Sequence, residues 1–161
     1  MKRNSIKIVS ALVLIVLFAF SVIEETTQIR CMIQLKNYTG EGAYLIISLM
    51  NPEGQYEKTL YVQGEDTKWY HEVDEWWGFY GKRKTNLDGI TGATIAGGER
   101  SIREIKIPTD KINQGYSLRF ETSVEDVDYF PKDIEFSLTT ENLTSKKEGI
   151  GFIRYVRLLE K

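Results

Sequence analysis

Histidine, cysteine and proline are scarce in this sequence, with one His, one Cys and three Pro among 161 residues. A single histidine cannot build a multi-histidine metal site. A single cysteine cannot form an internal disulfide. We therefore expect His71 at the surface and Cys31 on the packed face of a strand. No nucleophile–base pair and no metal site is legible, so a hydrolase or lyase is the least favoured function.

An excess of positive charge is also missing. The net charge is −2 at pH 7, and loss of Lys2, Arg3 and Lys7 with an N-terminal leader would take it to −5. A general nucleic-acid binder needs a basic face. We therefore expect no nucleic-acid partner.

Acidic residues are absent from the first 21 positions, and apolar residues dominate from Ile8 to Ile23. A basic start followed by a short apolar run is typical of a secretory signal. The run of about 16 residues is shorter than the ~20 needed to span a bilayer. Small residues at Ala19 and Ser21 favour cleavage after Ser21 over retention as an anchor. We predict a signal peptide or membrane anchor over residues 1–21 and an extracytoplasmic protein.

Residues 28–161 predict a single all-β domain. Short apolar or alternating segments cover residues 28–38, 43–50, 55–62, 101–107, 116–124, 134–138 and 152–158. Turn residues separate them, including Asn51-Pro52-Glu53-Gly54 inside the clearest hairpin. Seven or so strands predict a two-sheet antiparallel sandwich of immunoglobulin-like type. The aromatic-rich segment 63–84 has no clear period, and either a short helix or an irregular loop fits it.

Small residues and hydroxyls dominate a predicted loop over residues 88–99, which opens with the heptad Asp88-Gly89-Ile90-Thr91-Gly92-Ala93-Thr94. Gly92 permits close backbone approach and unusual backbone angles. Ala93 adds little bulk, so a phosphorylated donor could reach Thr94 with little steric obstruction.

The heptad resembles the acceptor motif of covalently flavinylated proteins, in which an acid is followed by Ser/Thr-Gly-Ala-Ser/Thr. That motif occurs in FMN-binding domains of sodium-pumping NADH–quinone reductase and Rnf-type complexes. There the last hydroxyl carries FMN through a phosphoester bond, which an extracytoplasmic FAD:protein FMN transferase makes using Mg²⁺. The resemblance implies Thr94 as the attachment residue. It implies recognition positions at Asp88, Gly89, Thr91, Gly92 and Ala93.

Residues 43–124 resemble a family of predicted periplasmic proteins classed as a domain of unknown function. The resemblance rests on Lys58-Thr59-Leu60, Trp76-Trp77, the Asp-x-x-Thr-Gly-Ala-Thr loop and a Gly115-Tyr116 strand ending in Glu121. Members are associated with FMN transferases and PepSY-type membrane proteins, which implies extracytoplasmic electron transfer. The chain departs from the family where Ile95-Ala96-Gly97-Gly98 replaces a basic residue and Pro-Gly. It also lacks a Trp-Asp pair in the next strand.

Two further groups of residues have alternative interpretations. Trp76, Trp77 and Tyr80 could stack on a flavin ring, but we favour packing at the end of the sandwich. An acidic cluster could hold Ca²⁺ weakly, but we favour a solvated strand end; it comprises Glu121, Glu125, Asp126 and Asp128.

Two functions remain after these exclusions. The favoured one is an electron-transfer protein that carries FMN covalently and is no enzyme on its own. The alternative is a non-redox immunoglobulin-like binding or envelope module, in which the heptad is only a turn.

Overall fold

The computed structural model describes residues 24–160, and these fold into two packed β-sheets. The predicted leader, residues 1–21, lies outside the described residues. In chain order the described elements are β1 (Thr26–Leu35), β2 (Tyr44–Met50), β3 (Tyr56–Gln63), α1 (Asp74–Arg83), β4 (Thr91–Gly92), β5 (Arg100–Pro108), β6 (Ser117–Val124), β7 (Asp128–Ser137), β8 (Lys146–Glu148) and β9 (Ile153–Glu160). Short 3₁₀ turns cover Thr67–Glu72, Thr109–Lys111 and Asn142–Thr144.

The sheets have the strand orders β5-β1-β9-β8 and β4-β3-β2-β6-β7. The pairings are antiparallel except that β4 runs parallel to β3. The predicted all-β, two-sheet sandwich is confirmed. Strands β4 and β8 were not predicted, because two or three residues are too few to show a period. Strand β7 begins at Asp128, well before the apolar residues that predicted it, because its first half holds Pro131 and Lys132.

The main core lies between the sheets. Ile29, Cys31 and Ile33 of β1 point inward and are completely buried, as their alternation predicted. They belong to one buried cluster with inward residues of β2, such as Leu45 and Ile47. Burial raises the pKa of the Cys31 thiol well above its ordinary value, so this cysteine is a packing residue.

Helix α1 resolves the open question about the aromatic segment. It covers the outer face of the second sheet, where Val73, Trp76 and Tyr70 pack on Ile46 and Val62. Strand β2 is therefore buried on both faces, which explains why its sequence is apolar throughout instead of alternating.

The sequence of α1 does not show a clear helical period, because apolar residues also lie outside its buried face. Val73, Trp76 and Tyr80 have the three- and four-residue spacing of one helix face. Trp77 and Phe79 lie beside that stripe and are only partly buried, so apolar residues surround much of the helix. Acids begin the helix and bases end it, which suits the helix dipole.

A buried aspartate joins the edge of the second sheet to the first. Asp133 of β7 is buried, and three hydrogen-bond donors satisfy its carboxylate. Thr122 Oγ1 donates to its Oδ2 over 2.6 Å, and the backbone N–H groups of Gly151 and Ile153 donate over 2.7 and 2.8 Å.

Candidate functional site

The heptad starts in a tight turn after helix α1. The Ile90 N–H donates to the Leu87 carbonyl over 3.1 Å, and Gly89 takes a positive φ of 76° that glycine tolerates. Asp88 is exposed, and its backbone N–H donates to Asn86 Oδ1 over 2.7 Å. The carboxylate of Asp88 is therefore at the surface, six residues before Thr94.

Backbone hydrogen bonds fix the loop on both sides of Ala93 and Thr94. On one side, the Gly64 N–H donates to the Gly92 carbonyl over 2.5 Å, which forms the short parallel pairing of β4 with β3. On the other side, Ala43 and Ile95 exchange two hydrogen bonds of 2.8 and 3.2 Å. Ile95 is buried in the main core. The two intervening residues are therefore held between rigid anchors.

The Thr94 side chain is exposed, as are Thr91 and Ala93. Within the part of the chain that the structure describes, its hydroxyl has no hydrogen-bond partner. Its Oγ1 lies only 2.5 Å from the point where a Cβ on Gly42 would stand. Gly42 thus leaves the space that this side chain occupies. The hydroxyl therefore lies beside Gly42, on an exposed residue whose preceding neighbours are small.

Gly92 has a different neighbour. A Cβ there would lie 2.3 Å from the Tyr61 hydroxyl oxygen and 3.7 Å from Arg103 Nη2. The Arg103 guanidinium also lies over the Tyr61 ring, 5.8 Å from its centroid. Any side chain at position 92 would have to displace the Tyr61 hydroxyl. A cation therefore lies directly beside the heptad.

The sequence analysis missed Gly42, Tyr61 and Arg103 as parts of this site. For Arg103 a signal existed, because it shares strand parity with the buried residues Ile105 and Ile107. Ile102, which that parity turns outward, is 53% exposed. For Gly42 no sequence signal existed, since only the Ala43–Ile95 pairing brings it to the loop.

The segment after Thr94 packs closely against the chain after β1. A Cβ on Gly97 would lie 2.4 Å from the Tyr38 carbonyl oxygen, and one on Gly98 would lie 2.4 Å from Asn37 Oδ1. Glycine at both positions therefore suits this close contact.

The tryptophans differ in accessibility. Trp76 is 0% exposed, stacks on Tyr80 with ring centroids 4.8 Å apart, and donates its indole N–H to Thr59 Oγ1. Its ring fills the layer between helix and sheet, so it has no face to offer a ligand. Trp77 is partly exposed on the helix surface.

A groove of about 730 Å³ lies beside the turn at Asp88. Its walls come from β3, β5, the end of α1 and residues 88–90, and they include Phe79 and charged side chains of both signs. Its volume is in the range of ligand pockets. Thr94 does not line this groove.

Glu121 corrects the interpretation of the acidic cluster. Asp126 and Asp128 are exposed, but Glu121 is 0% exposed on the helix-facing side of the second sheet. Its Oε1 accepts from the Tyr56 hydroxyl over 2.8 Å, and its Oε2 accepts from the Tyr129 hydroxyl over 2.6 Å. Burial raises the pKa of Glu121 to about 7, against the lowering by these two donors and by Arg119.

Arg119 completes this buried network. Its guanidinium donates to Tyr56 Oη over 3.4 Å, to Glu75 Oε2 over 3.2 Å and to the Glu135 carboxylate. The Glu75 backbone N–H in turn donates to Tyr129 Oη. The network therefore ties the first turn of α1 to the sheet beneath it.

His71 is exposed, as predicted. Its Nδ1 lies 2.8 Å from the Lys68 carbonyl oxygen. In residues 24–160 no group of three or more His, Cys, Asp or Glu side chains is arranged to hold a metal ion.

The comparison with family models gives one match. Residues 26–155 match the family described as "Predicted periplasmic protein (DUF2271)". The chain belongs to this family. No curated protein and no solved structure matched significantly.

Membership supports an extracytoplasmic location, because the family is described as periplasmic. The matched range contains the second sheet, helix α1 and the whole heptad, and it ends near the start of β9 in the first sheet. No helix among the described residues is long and apolar enough to cross a membrane.

Proposed function

We propose that this periplasmic-family protein is an electron-transfer protein that carries FMN on Thr94 through a phosphoester bond. The observation that supports it best is the Thr94 side chain, which is exposed, without a hydrogen-bond partner among the described residues, and held between two anchored backbone positions. Bound FMN supplies the redox chemistry. The chain itself supplies the location of the flavin.

The surroundings of Thr94 fit such an attachment. A modifying enzyme must bring its donor to within bonding distance of the hydroxyl oxygen, which requires an open approach. Ala93 and Gly92 precede the threonine, and Gly42 lies behind it. The donor therefore meets little side-chain bulk, and the fixed loop limits the entropy lost when the acceptor is positioned.

The attachment step balances with FAD as donor and an FAD:protein FMN transferase as catalyst. The Thr94 hydroxyl oxygen forms a bond to the phosphorus of the FMN half. The phosphoanhydride bond to AMP breaks, and AMP leaves with the electron pair. The hydroxyl proton passes to a base of the transferase. We propose a PepSY-type membrane protein as the redox partner of the loaded protein.

The test is co-expression of the secreted protein with an FMN transferase, followed by a denaturing gel and intact-mass measurement. We expect a fluorescent band and a mass gain of one FMN less one water. Thr94→Ala should lose both signals, and Thr94→Ser should keep them. Thr85→Ala, which removes an exposed hydroxyl just outside the heptad, is the matched control and should be loaded normally.

A second variant tests the position of the hydroxyl without removing it. Gly42→Ala places a methyl group where Thr94 Oγ1 lies, so the loading rate should fall on the order of tenfold or more. Gly78→Ala is the control, because a Cβ there meets open space.

An unmodified wild-type protein would favour the alternative, a non-redox binding or envelope module. Loading that persists in Thr94→Ala would place the flavin elsewhere.

A further inference from the structure

Arg103 occupies an unusual position for a cation. It lies on β5, the edge strand of the first sheet, and points toward the interior with Ser101 and Ile105. Opposite it is the β3–β4 edge of the second sheet, where Tyr61 and Gly92 contact it. The guanidinium therefore lies in the mouth between the two sheets, next to the acceptor heptad.

This guanidinium is incompletely satisfied. Its Nε is buried and has no hydrogen-bond partner, and no ion pair of Arg103 is present among the described residues. An unpaired buried donor on a charged group is unfavourable. Arg119 shows the contrast, because it is also buried but has three hydrogen-bonding partners. An anion placed at Arg103 would supply the missing acceptor.

Arg103 meets the heptad at Gly92. Gly92 is two residues before Thr94, about 7 Å along an extended chain. Arg103 Nη2 lies 3.7 Å from the Cβ point of Gly92, on the side where glycine leaves no side chain in between. A phosphate on Thr94 Oγ1 extends from the hydroxyl, and the arginine side chain is long and flexible. The guanidinium fork also matches the spacing of phosphate oxygens.

We propose that Arg103 is the positioning residue of the attachment site and pairs with the phosphodiester that joins FMN to Thr94. This inference rests on the proposed function. It adds a residue outside the heptad, on the opposite sheet. This residue holds the phosphate and thereby fixes the direction in which the attached flavin projects from the protein surface.

The experiment compares unloaded and FMN-loaded wild type with Arg103→Gln, using the melting temperature and the ³¹P NMR shift of the phosphodiester. Loading should raise the wild-type Tm by about 3 °C, the effect of one charged hydrogen bond in a chain of this size. Unloaded Arg103→Gln should melt no lower than unloaded wild type, because it removes an unpaired charge. Loading should not raise its Tm, and its ³¹P resonance should move.

Two further variants sharpen the assignment. Arg103→Lys keeps the charge but loses the fork, so it should retain part of the Tm rise. Arg100→Gln removes the same charge from an exposed position of the same strand, where it contacts Gln34, and should behave as wild type.

The outcomes distinguish the role of Arg103 from the attachment of FMN at Thr94. Equal Tm rises and equal ³¹P shifts in loaded wild type and Arg103→Gln would overturn the role of Arg103 while leaving attachment at Thr94 intact. An unloaded Arg103→Gln that melts several degrees below wild type would show a structural role and overturn it as well. A wild type that takes up no FMN at Thr94 overturns the proposed function, and this inference falls with it.

Discussion

The loop that carries Thr94 and the network around Glu121 both place polar groups against the second sheet, but they do so in opposite ways. Around Glu121 both carboxylate oxygens, two tyrosine hydroxyls and Arg119 are joined by hydrogen bonds beneath a helix. At the loop, the Thr94 hydroxyl is exposed without a described partner, and the neighbouring Arg103 has a buried donor unmet.

The difference separates a structural role from a reactive one. A satisfied buried network stabilises one arrangement of helix and sheet, and breaking it leaves charges without partners. An unsatisfied site keeps its groups available for another molecule. Stability measurements should therefore respond strongly to changes in the network and weakly to changes in the loop.

The largest loss is expected from Arg119→Met. This change removes the hydrogen bond that Arg119 donates to Tyr56, the tyrosine that in turn donates to Glu121. It also removes the cation between Glu75 and Glu135. Because those two carboxylates are partly exposed, we expect a loss of about 2–3 kcal/mol in the free energy of unfolding, measured with urea. Lys146→Met breaks only the exposed pair with Glu148 and should change stability by less than about 1 kcal/mol. Equal effects of the two variants would contradict a special role for the network.

A pH-dependent stability is expected from Glu121. Its pKa in the folded protein, about 7, lies above the ordinary 4.5, so the folded state binds more protons than the unfolded state between these values. The stability that protonation provides is complete below about pH 4.5 and is lost as pH rises through about 7. The difference corresponds to on the order of 3 kcal/mol.

Glu121→Gln tests this directly, because the amide cannot ionise. Its urea midpoint should differ less between pH 5 and pH 8 than that of the wild type. Glu125→Gln, just beyond the end of the same strand, should keep the wild-type pH profile. If Glu121→Gln keeps that profile as well, another group controls it.

The sequence could predict the parts of the molecule that depend on local pattern. Alternation placed Cys31 on the buried face of β1, and an unbroken apolar run marked β2. The glycine-rich composition of residues 88–99 predicted a loop, and the loop is exposed at Thr94. In each case the signal lies within a few consecutive residues.

The parts that failed depend on contacts between distant segments. Glu121 is polar in sequence, yet it is buried because α1 covers it and two tyrosines from other strands satisfy it. Gly42 joins the site only through the pairing of Ala43 with Ile95. Arg103 shares strand parity with the buried Ile105 and Ile107, but parity alone does not show that Tyr61 and Gly92 of the other sheet lie beside it.

The smallest effect on stability is expected at Thr94. The same substitution at the buried Thr122 provides the comparison. Thr94→Ala should change the free energy of unfolding of the unloaded protein by less than about 0.5 kcal/mol, since its side chain is exposed. Thr122→Ala should cost about 1–3 kcal/mol, because the buried Asp133 then loses one of its donors. Both changes remove the same atoms, so their difference reports only the surroundings. A Thr94→Ala loss as large as that of Thr122→Ala would mean that the acceptor hydroxyl has a structural partner, and it would remove the main argument for a group held ready for modification.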